Sequence, residues 1–323
     1  MRKLLAQRAP EEANGLDYEH TALAEQLSSG IRQVELDCFA DPEGGRFANP
    51  RGVKWAAEAG LPAVPDQDPT GRLRQPGFKV MHVQDIDYFS SVLTLIDALR
   101  RIRDWSAKHP RHVPIFILLE FKEDAPGTEF TPAQPFREKE LMALESEILS
   151  VFPRDKILKP DDVRSSERSL PDALRKHGWP ALDAVRGKVM FGMDNGGAVR
   201  DLYLKDHPAL EGRLLFVSVA PSNPAAAWMK ENDPVEGFDR IQQLVRAGFL
   251  VRTRADSDTI EARTNDRRRR DKALATGAQF ISTDYPEPNL AFSTYSVQFA
   301  GKIVARANPM NTSGDLKGVD LDK

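Results

Sequence analysis

Short apolar runs recur along the chain, each followed by a stretch with helical spacing. The runs cover residues 31–39, 78–83 (FKVMHV), 114–121 (PIFILLEF), 188–194 (KVMFGMD), 214–219 (LLFVSV), 249–255 (FLVRTRA) and 278–284 (AQFISTD). Several are apolar at every position, the pattern of parallel strands covered on both faces. The intervening segments predict helices over 91–108, 137–152, 238–247 and 259–276. In the first of these Leu95, Leu99 and Ile102 share a face, Ser90 or Ser91 is the expected N-cap, and His109-Pro110 is the stop. Gly248 and Gly277 directly follow the last two, where a glycine terminates a helix. Strands alternating with helices over this length imply a parallel α/β architecture.

Seven strands are one short of the eight in a (β/α)8 barrel. An open doubly wound sheet could hold seven, but no Gly-rich turn follows any of them, which argues against dinucleotide binding. Residues 18–29 (YEHTALAEQLSS) read as a helix with no strand before it, and 1–17 contain no strand pattern. The chain is therefore expected to begin in the middle of a βα unit. Residues 287–323, rich in Asn, Pro and Gly, read as a cap or extension to a core spanning 18–286, with a short hairpin expected over 293–305. No internal repeat or long linker interrupts the pattern, so residues 1–323 are expected to form one domain.

Composition narrows the function without naming it. The 323 residues are 41% hydrophobic and 29% charged, ordinary for a globular protein. A net charge of −3 provides no overall attraction for nucleic acid, and none is expected as a partner. The basic run at residues 267–270 could meet anionic headgroups, but Glu261, Asp266 and Asp271 around it favour a solvated helix face. The single cysteine, Cys38, lies in an apolar strand and is expected to be packed and inert. No window reaches the roughly 18 apolar residues of a membrane span. The opening residues MRKLLAQRAPEEANG have a basic start but no apolar stretch, so no secretory signal is expected there.

The chemistry lies at the strand ends. Residues two apart on a strand share a face, and active-site groups of a β/α barrel project from the strands' C-terminal ends. The first strand carries Glu35 and Asp37. The second has His82 near its end, followed by Asp85 and Asp87. The third has Glu120 and Lys122, the fourth ends in Asp194-Asn195, the sixth carries Arg252 and Arg254, and the seventh Ser282 and Asp284. Three carboxylates in one pocket, Glu35, Asp37 and Glu120, would raise one another's pKa. A divalent cation relieves that, and oxygen ligands select Ca2+, or secondarily Mg2+, over zinc. The competing reading pairs these acids with Lys122, Arg252 and Arg254 as rim salt bridges. His82, placed among the acids, can serve as general acid and base. Such a set suits attack on a phosphodiester, with Lys122 and Arg252 neutralising transition-state charge and His82 protonating the leaving alcohol.

At these residues the sequence resembles the bacterial calcium-dependent phosphoinositide-specific phospholipase C family, within the superfamily that also holds glycerophosphodiester phosphodiesterases. The stretches that carry the resemblance are YEHTALAEQLSSGIRQVELDCFADPEGGRF, KVMHVQDIDYFSSVLTLIDALRRIRDWSAKHPRHVPIFILLEFK and VRTRADSDTIEARTNDRRRRDKALATGAQFISTDYP, spanning Tyr18 to Pro286. The resemblance implies a (β/α)8 barrel of the phospholipase C type. The family's metal-binding E-x-D corresponds to Glu35 and Asp37, its second catalytic histidine to His82, and its next acidic ligand and possible base to Glu120. A superfamily phosphate-contacting lysine corresponds to Lys122. The implied reaction is Ca2+-dependent cleavage of phosphatidylinositol at a membrane surface, giving diacylglycerol and an inositol phosphate, by a monomer. The family's first strand, ending in a His-Asn-Ser-Tyr type motif, has no counterpart here, and His20 lies too late in the pattern to take its role. A start placed too far downstream, or a truncated or degenerate member, would explain this, and the present chain is then expected to be impaired or inactive. A full-length form is then expected to be secreted or periplasmic. Two alternatives stand beside this reading. One is a glycerophosphodiester phosphodiesterase, disfavoured because His82 lies far beyond Glu35. The other is a catalytically dead headgroup- or metal-binding module.

Overall fold

The computed structural model describes residues 1–308, 310–311 and 318–323, except for the side chain of Arg8. Among the described residues nine strands occur, all but β6 and β7 separated by helices: β1 (Gln33–Phe39), β2 (Lys79–Val80), β3 (Ile115–Phe121), β4 (Ile157–Leu158), β5 (Val189–Met193), β6 (Leu215–Val217), β7 (Trp228–Lys230), β8 (Leu250–Arg254) and β9 (Phe280–Ser282). Helices α1 (Arg2–Arg8), α2 (Pro10–Gly15) and α3 (Leu23–Ser28) precede β1, and α4 (Arg51–Glu58) precedes β2. Then come α5 (Leu95–Lys108), α6 (Glu138–Val151), α7 (Pro160–Arg164), α8 (Leu170–His177), α9 (Leu182–Val185), α10 (Gly197–Leu204), α11 (Phe238–Arg246), α12 (Ile260–Thr264) and α13 (Arg268–Ala275).

The strands form two sheets. In the first, β1 and β3 are parallel, β5 follows β3, and β4 and β6 share the far edge of β5; β2 joins β1 antiparallel at Cys38 and Phe39 alone. The second runs β7-β8-β9, all parallel, and a bridge between Ser218 and Trp228 links it to the first. Among the described residues no strand pairs β9 with β1, but the Gln33 amide donates to Ser282 Oγ at 2.7 Å across that interval. Every residue of β3 except Glu120 is buried, as are all of β5. This is what continuous apolar runs produce when helices cover both faces.

Register sets the floor of the site. Gln33, Glu35 and Asp37 lie opposite Phe116, Leu118 and Glu120, and Leu118 in turn opposite Gly192. Phe116 packs against Trp228 and Phe280, joining three strands beneath the polar strand ends. Gly192 admits that ring: a Cβ there would lie 2.5 Å from Phe116 Cζ and 2.7 Å from Cε2. Gly192→Ala is expected to destabilise the fold by about 1–3 kcal/mol, the usual cost of overpacking. A urea midpoint unchanged from the parent would show that the floor has room to spare.

Several expected boundaries move. The helix expected over 91–108 starts at Leu95, capped by Thr94 rather than Ser90 or Ser91, because Thr94 Oγ1 accepts from the Asp97 N–H at 3.3 Å. The helix expected over 259–276 divides into α12 and α13, because Asn265 is left-handed (φ 53°) and Asp266 accepts from the Arg268 N–H at 2.9 Å. Of residues 18–29 only α3 is helical. The expected hairpin over 293–305 is not formed. Its backbone is engaged elsewhere, with the Val297 N–H on the Tyr285 carbonyl and the Arg270 guanidinium on the Ser296 carbonyl. Two short strands, β4 and β7, were not expected at all. The arginines at 267–270 mostly meet adjacent acids and nearby carbonyls, in keeping with a solvated face. Cys38 is fully buried, which pushes its thiol pKa well up. No described helix is long and apolar enough to cross a membrane.

Candidate active site

Strands β1, β3 and β5 bring their C-terminal ends together. Glu35, Glu120 and Asp194 each offer a carboxylate oxygen, and these oxygens all lie within 4.8 Å of one another. Ca2+–oxygen bonds of about 2.4 Å place opposite ligands about 4.8 Å apart, so the donor set suits that ion. Asp37 is placed differently. It pairs with Lys122 at 3.0 Å, and Lys122 also reaches Glu120 at 2.8 Å. Asp194, expected only as a strand-end residue, joins the acid group through the β3–β5 pairing. Asn195 anchors that strand end: its amide oxygen accepts from the Phe121 N–H at 2.7 Å and its amide nitrogen donates to the Phe121 carbonyl at 2.9 Å.

Each acid has a cation at hand. Arg252 meets Glu35 at 3.0 Å and is fixed by Asn232 and Ser282, both at 2.6 Å. Lys230, not among the expected site residues, meets Asp194 at 2.7 Å. Arg254 reaches Asp284 at 4.0 Å. The rim salt bridges and the acid cluster therefore coexist, and a bound cation would exchange partners with Arg252, Lys122 and Lys230. Burial is the main force on the acids' proton affinity. It raises Glu35, against the pull of Arg252, although 35% of that side chain stays accessible along the sparsely paired edge of β1. It pushes Asp37 up to about 7, partly offset by Lys122, and Asp284 to about 6.

His82 stands beside this group, with its Nδ1 2.8 Å from Asp87 Oδ2. A tight loop makes the pair. Val83 and Asp87 exchange backbone hydrogen bonds at 3.0 and 2.9 Å, with Asp85 between them in the left-handed region at φ 71°. Asp85 holds the loop down by accepting from the Arg51 and Thr131 N–H groups. Gly52 is required underneath, because a Cβ there would lie 1.9 Å from the Asp85 carbonyl oxygen. The hydrogen bond to Asp87 raises the His82 pKa, burial opposes it, and Asp37 adds to the rise. Of the other histidines, His112 has a structural place. It is buried between Ser106 Oγ and the Val113 carbonyl.

An α/β scaffold whose strand ends hold oxygen donors for a cation, a carboxylate-bound histidine and several guanidinium and ammonium groups is equipped for phosphate-ester hydrolysis. The chain belongs to the calcium-dependent phosphoinositide phospholipase C family: the sequence model described as "Phosphoinositide phospholipase C, Ca2+-dependent" matches residues 1–309. It is thus a phosphoric diester hydrolase of the phospholipase C type, in a family defined by Ca2+ dependence. The fold is similar to that of a Ca2+-dependent phosphatidylinositol-specific phospholipase C from Streptomyces antibioticus. The TM-score is 0.54 at 16% identity, over 84% of this chain and 91% of that one. It is equally similar to a calcium-dependent phosphoinositol-specific phospholipase C from a Gram-negative Pseudomonas sp., with a TM-score of 0.54 at 14% identity over 87% of each chain. No curated protein sequence matches the chain.

Proposed function

We propose that the chain cleaves the glycerol–phosphate bond of phosphatidylinositol in a Ca2+-dependent reaction, giving diacylglycerol and an inositol phosphate. The observation that carries this is the convergence of Glu35, Glu120 and Asp194 beside His82 in a chain of this family. Glu35 and Glu120 are the expected metal ligands, with Asp194 or Asp37 completing the set. Bound there, Ca2+ would polarise a phosphoryl oxygen and offset the charge that develops on it. Glu120 is placed to accept the proton of the attacking hydroxyl. Arg252, held from three sides, and Lys122 present positive charge to the phosphate. His82, oriented by Asp87, whose hydrogen bond raises its pKa, delivers a proton to the departing glycerol oxygen. In this reading the two linked sheets are parts of a (β/α)8-type barrel, one domain, with the interval between β9 and β1 open among the described residues.

The test is turnover of phosphatidylinositol vesicles in Ca2+ and in excess chelator, alongside glycerophosphoinositol. Lipid cleavage that stops on chelation is expected. Cleavage of glycerophosphoinositol with none of the lipid would favour the glycerophosphodiester alternative, and cleavage of neither would favour a binding module.

A further inference from the structure

A cavity of about 960 Å3 lies against the outer side of the His82–Asp87 loop. That is near the upper end of the roughly 300–1,000 Å3 typical of small-ligand sites. Its walls are mainly apolar, with Leu4 and Leu5 from α1, Trp55 from α4, Phe130, and Ile260 from α12. Trp55 and Phe130 meet edge to face, with centroids 5.1 Å apart. Glu11, Glu12, Asp258 and Arg263 also border it. Two further lining residues, Val83 and Ile86, belong to the loop that joins His82 to Asp87. The cavity and the proposed general acid therefore share one short piece of backbone.

We infer that this cavity receives an acyl chain of the diacylglycerol half of the substrate. The inference rests on the proposed reaction, which makes the His82 side of the phosphate the leaving-group side. The glycerol whose oxygen His82 protonates carries two acyl chains on its other oxygens, and these must run away from the phosphate on that side. The charged strand ends offer them nothing, because burying alkyl groups against carboxylates and guanidinium groups costs desolvation. The apolar hollow lined by Val83 and Ile86, on the loop that joins His82 to Asp87, would remove methylenes from water. Ile260, 58% exposed, extends the apolar wall toward the solvent.

The experiment uses the full chain and monomeric phosphatidylinositols below their micellar concentration, so that adsorption to a surface plays no part. With Ca2+ present, kcat/KM is expected to rise at least tenfold from dibutanoyl to dioctanoyl lipid. Ile260→Asp, at an exposed position that the fold tolerates, is expected to remove most of that gain while leaving dibutanoyl cleavage unchanged. A second readout needs no turnover: dioctanoyl lipid brominated near the chain end should quench tryptophan fluorescence in chelator, and Trp55→Phe should abolish the effect. Quenching through Trp55 without any cleavage would support the cavity and sink the reaction. Cleavage that is indifferent to chain length and to Ile260→Asp, with no quenching at Trp55, would overturn the cavity's role and leave the reaction standing.

Discussion

His82→Ala is expected to lower kcat on phosphatidylinositol by about 10²–10⁴-fold, the usual worth of a positioned general acid. The fold should survive the change. The side chain is 39% accessible and its visible partner is Asp87, itself 34% accessible, so the pair belongs to the class worth at most about 1 kcal/mol. Thermal unfolding near the parent temperature alongside lost turnover would separate chemistry from structure. The companion Asp87→Asn tests the proton directly. Protonated His82 is the acid, so activity falls as pH rises through its pKa. The hydrogen bond to Asp87 is the largest influence raising that pKa, with Asp37 adding to it and burial and Lys122 opposing it. The basic limb of kcat/KM should therefore move to lower pH in Asp87→Asn. A limb that stays in place would assign it to another group.

Why so much of the fold is legible follows from particular strands. β1 alternates and β3 is apolar except at Glu120, and both are seven residues long, long enough for periodicity to speak. β4 has two residues and β7 three, the latter behind Pro224 and three alanines. β2, β6 and β9 are as short but lie within the longer runs 78–83, 214–219 and 278–284, whereas β4 and β7 take their conformation from the strands they pair with. The helices expected over 137–152 and 238–247 stand within a residue of those bounds, whereas the other two differ where single side chains decide. Thr94 outcompetes the serines because its oxygen meets the Asp97 N–H. Asn265 ends α12 by taking a left-handed conformation that asparagine tolerates better than most residues.

The site divides in the same way. Glu35, Asp37, Glu120, Lys122 and Arg252 could be named because spacing on a strand fixes the face. Their partners could not, because partnership depends on strand order. Asp194 meets Glu35 only because β3 stands between β1 and β5, and Lys230 meets Asp194 only because the bridge from Ser218 sets β7 beside β6. Position on the strand alone does not separate Asp37, drawn to Lys122, from Glu35, drawn to the acid group. One signal was available for the histidine. An aspartate five residues after His82, with a turn-forming stretch between, is within reach of a loop closed back on itself.

Glu120→Gln is expected to weaken Ca2+ binding by more than about 100-fold, beyond the 10–100-fold typical of losing an outer-shell partner. Glu120 is the residue on which both arrangements converge, bonded to Lys122 and within reach of Glu35 and Asp194. Calorimetric titration with Ca2+ alone reads this without substrate. Unfolding temperature gives a second measure. At 100 times its dissociation constant, a ligand stabilises by about 2.7 kcal/mol, about 5 °C for a chain of this size. The parent should show that rise and the variant little of it. The effect should also depend on pH, with a definite sign. Burial raises Glu35 and takes Asp37 to about 7. A carboxyl whose folded pKa is raised holds its proton longer in the folded state, so its contribution is present at low pH and is lost as pH climbs through the folded value. The metal-free chain should therefore lose stability between about pH 4 and 7 through these groups. Ca2+ binds the ionised carboxylates and restores what ionisation removes, so the calcium-dependent rise should grow from pH 5 to pH 8. A rise that is equal at both ends, or undiminished in Glu120→Gln, would place the ion somewhere other than the ends of β1, β3 and β5.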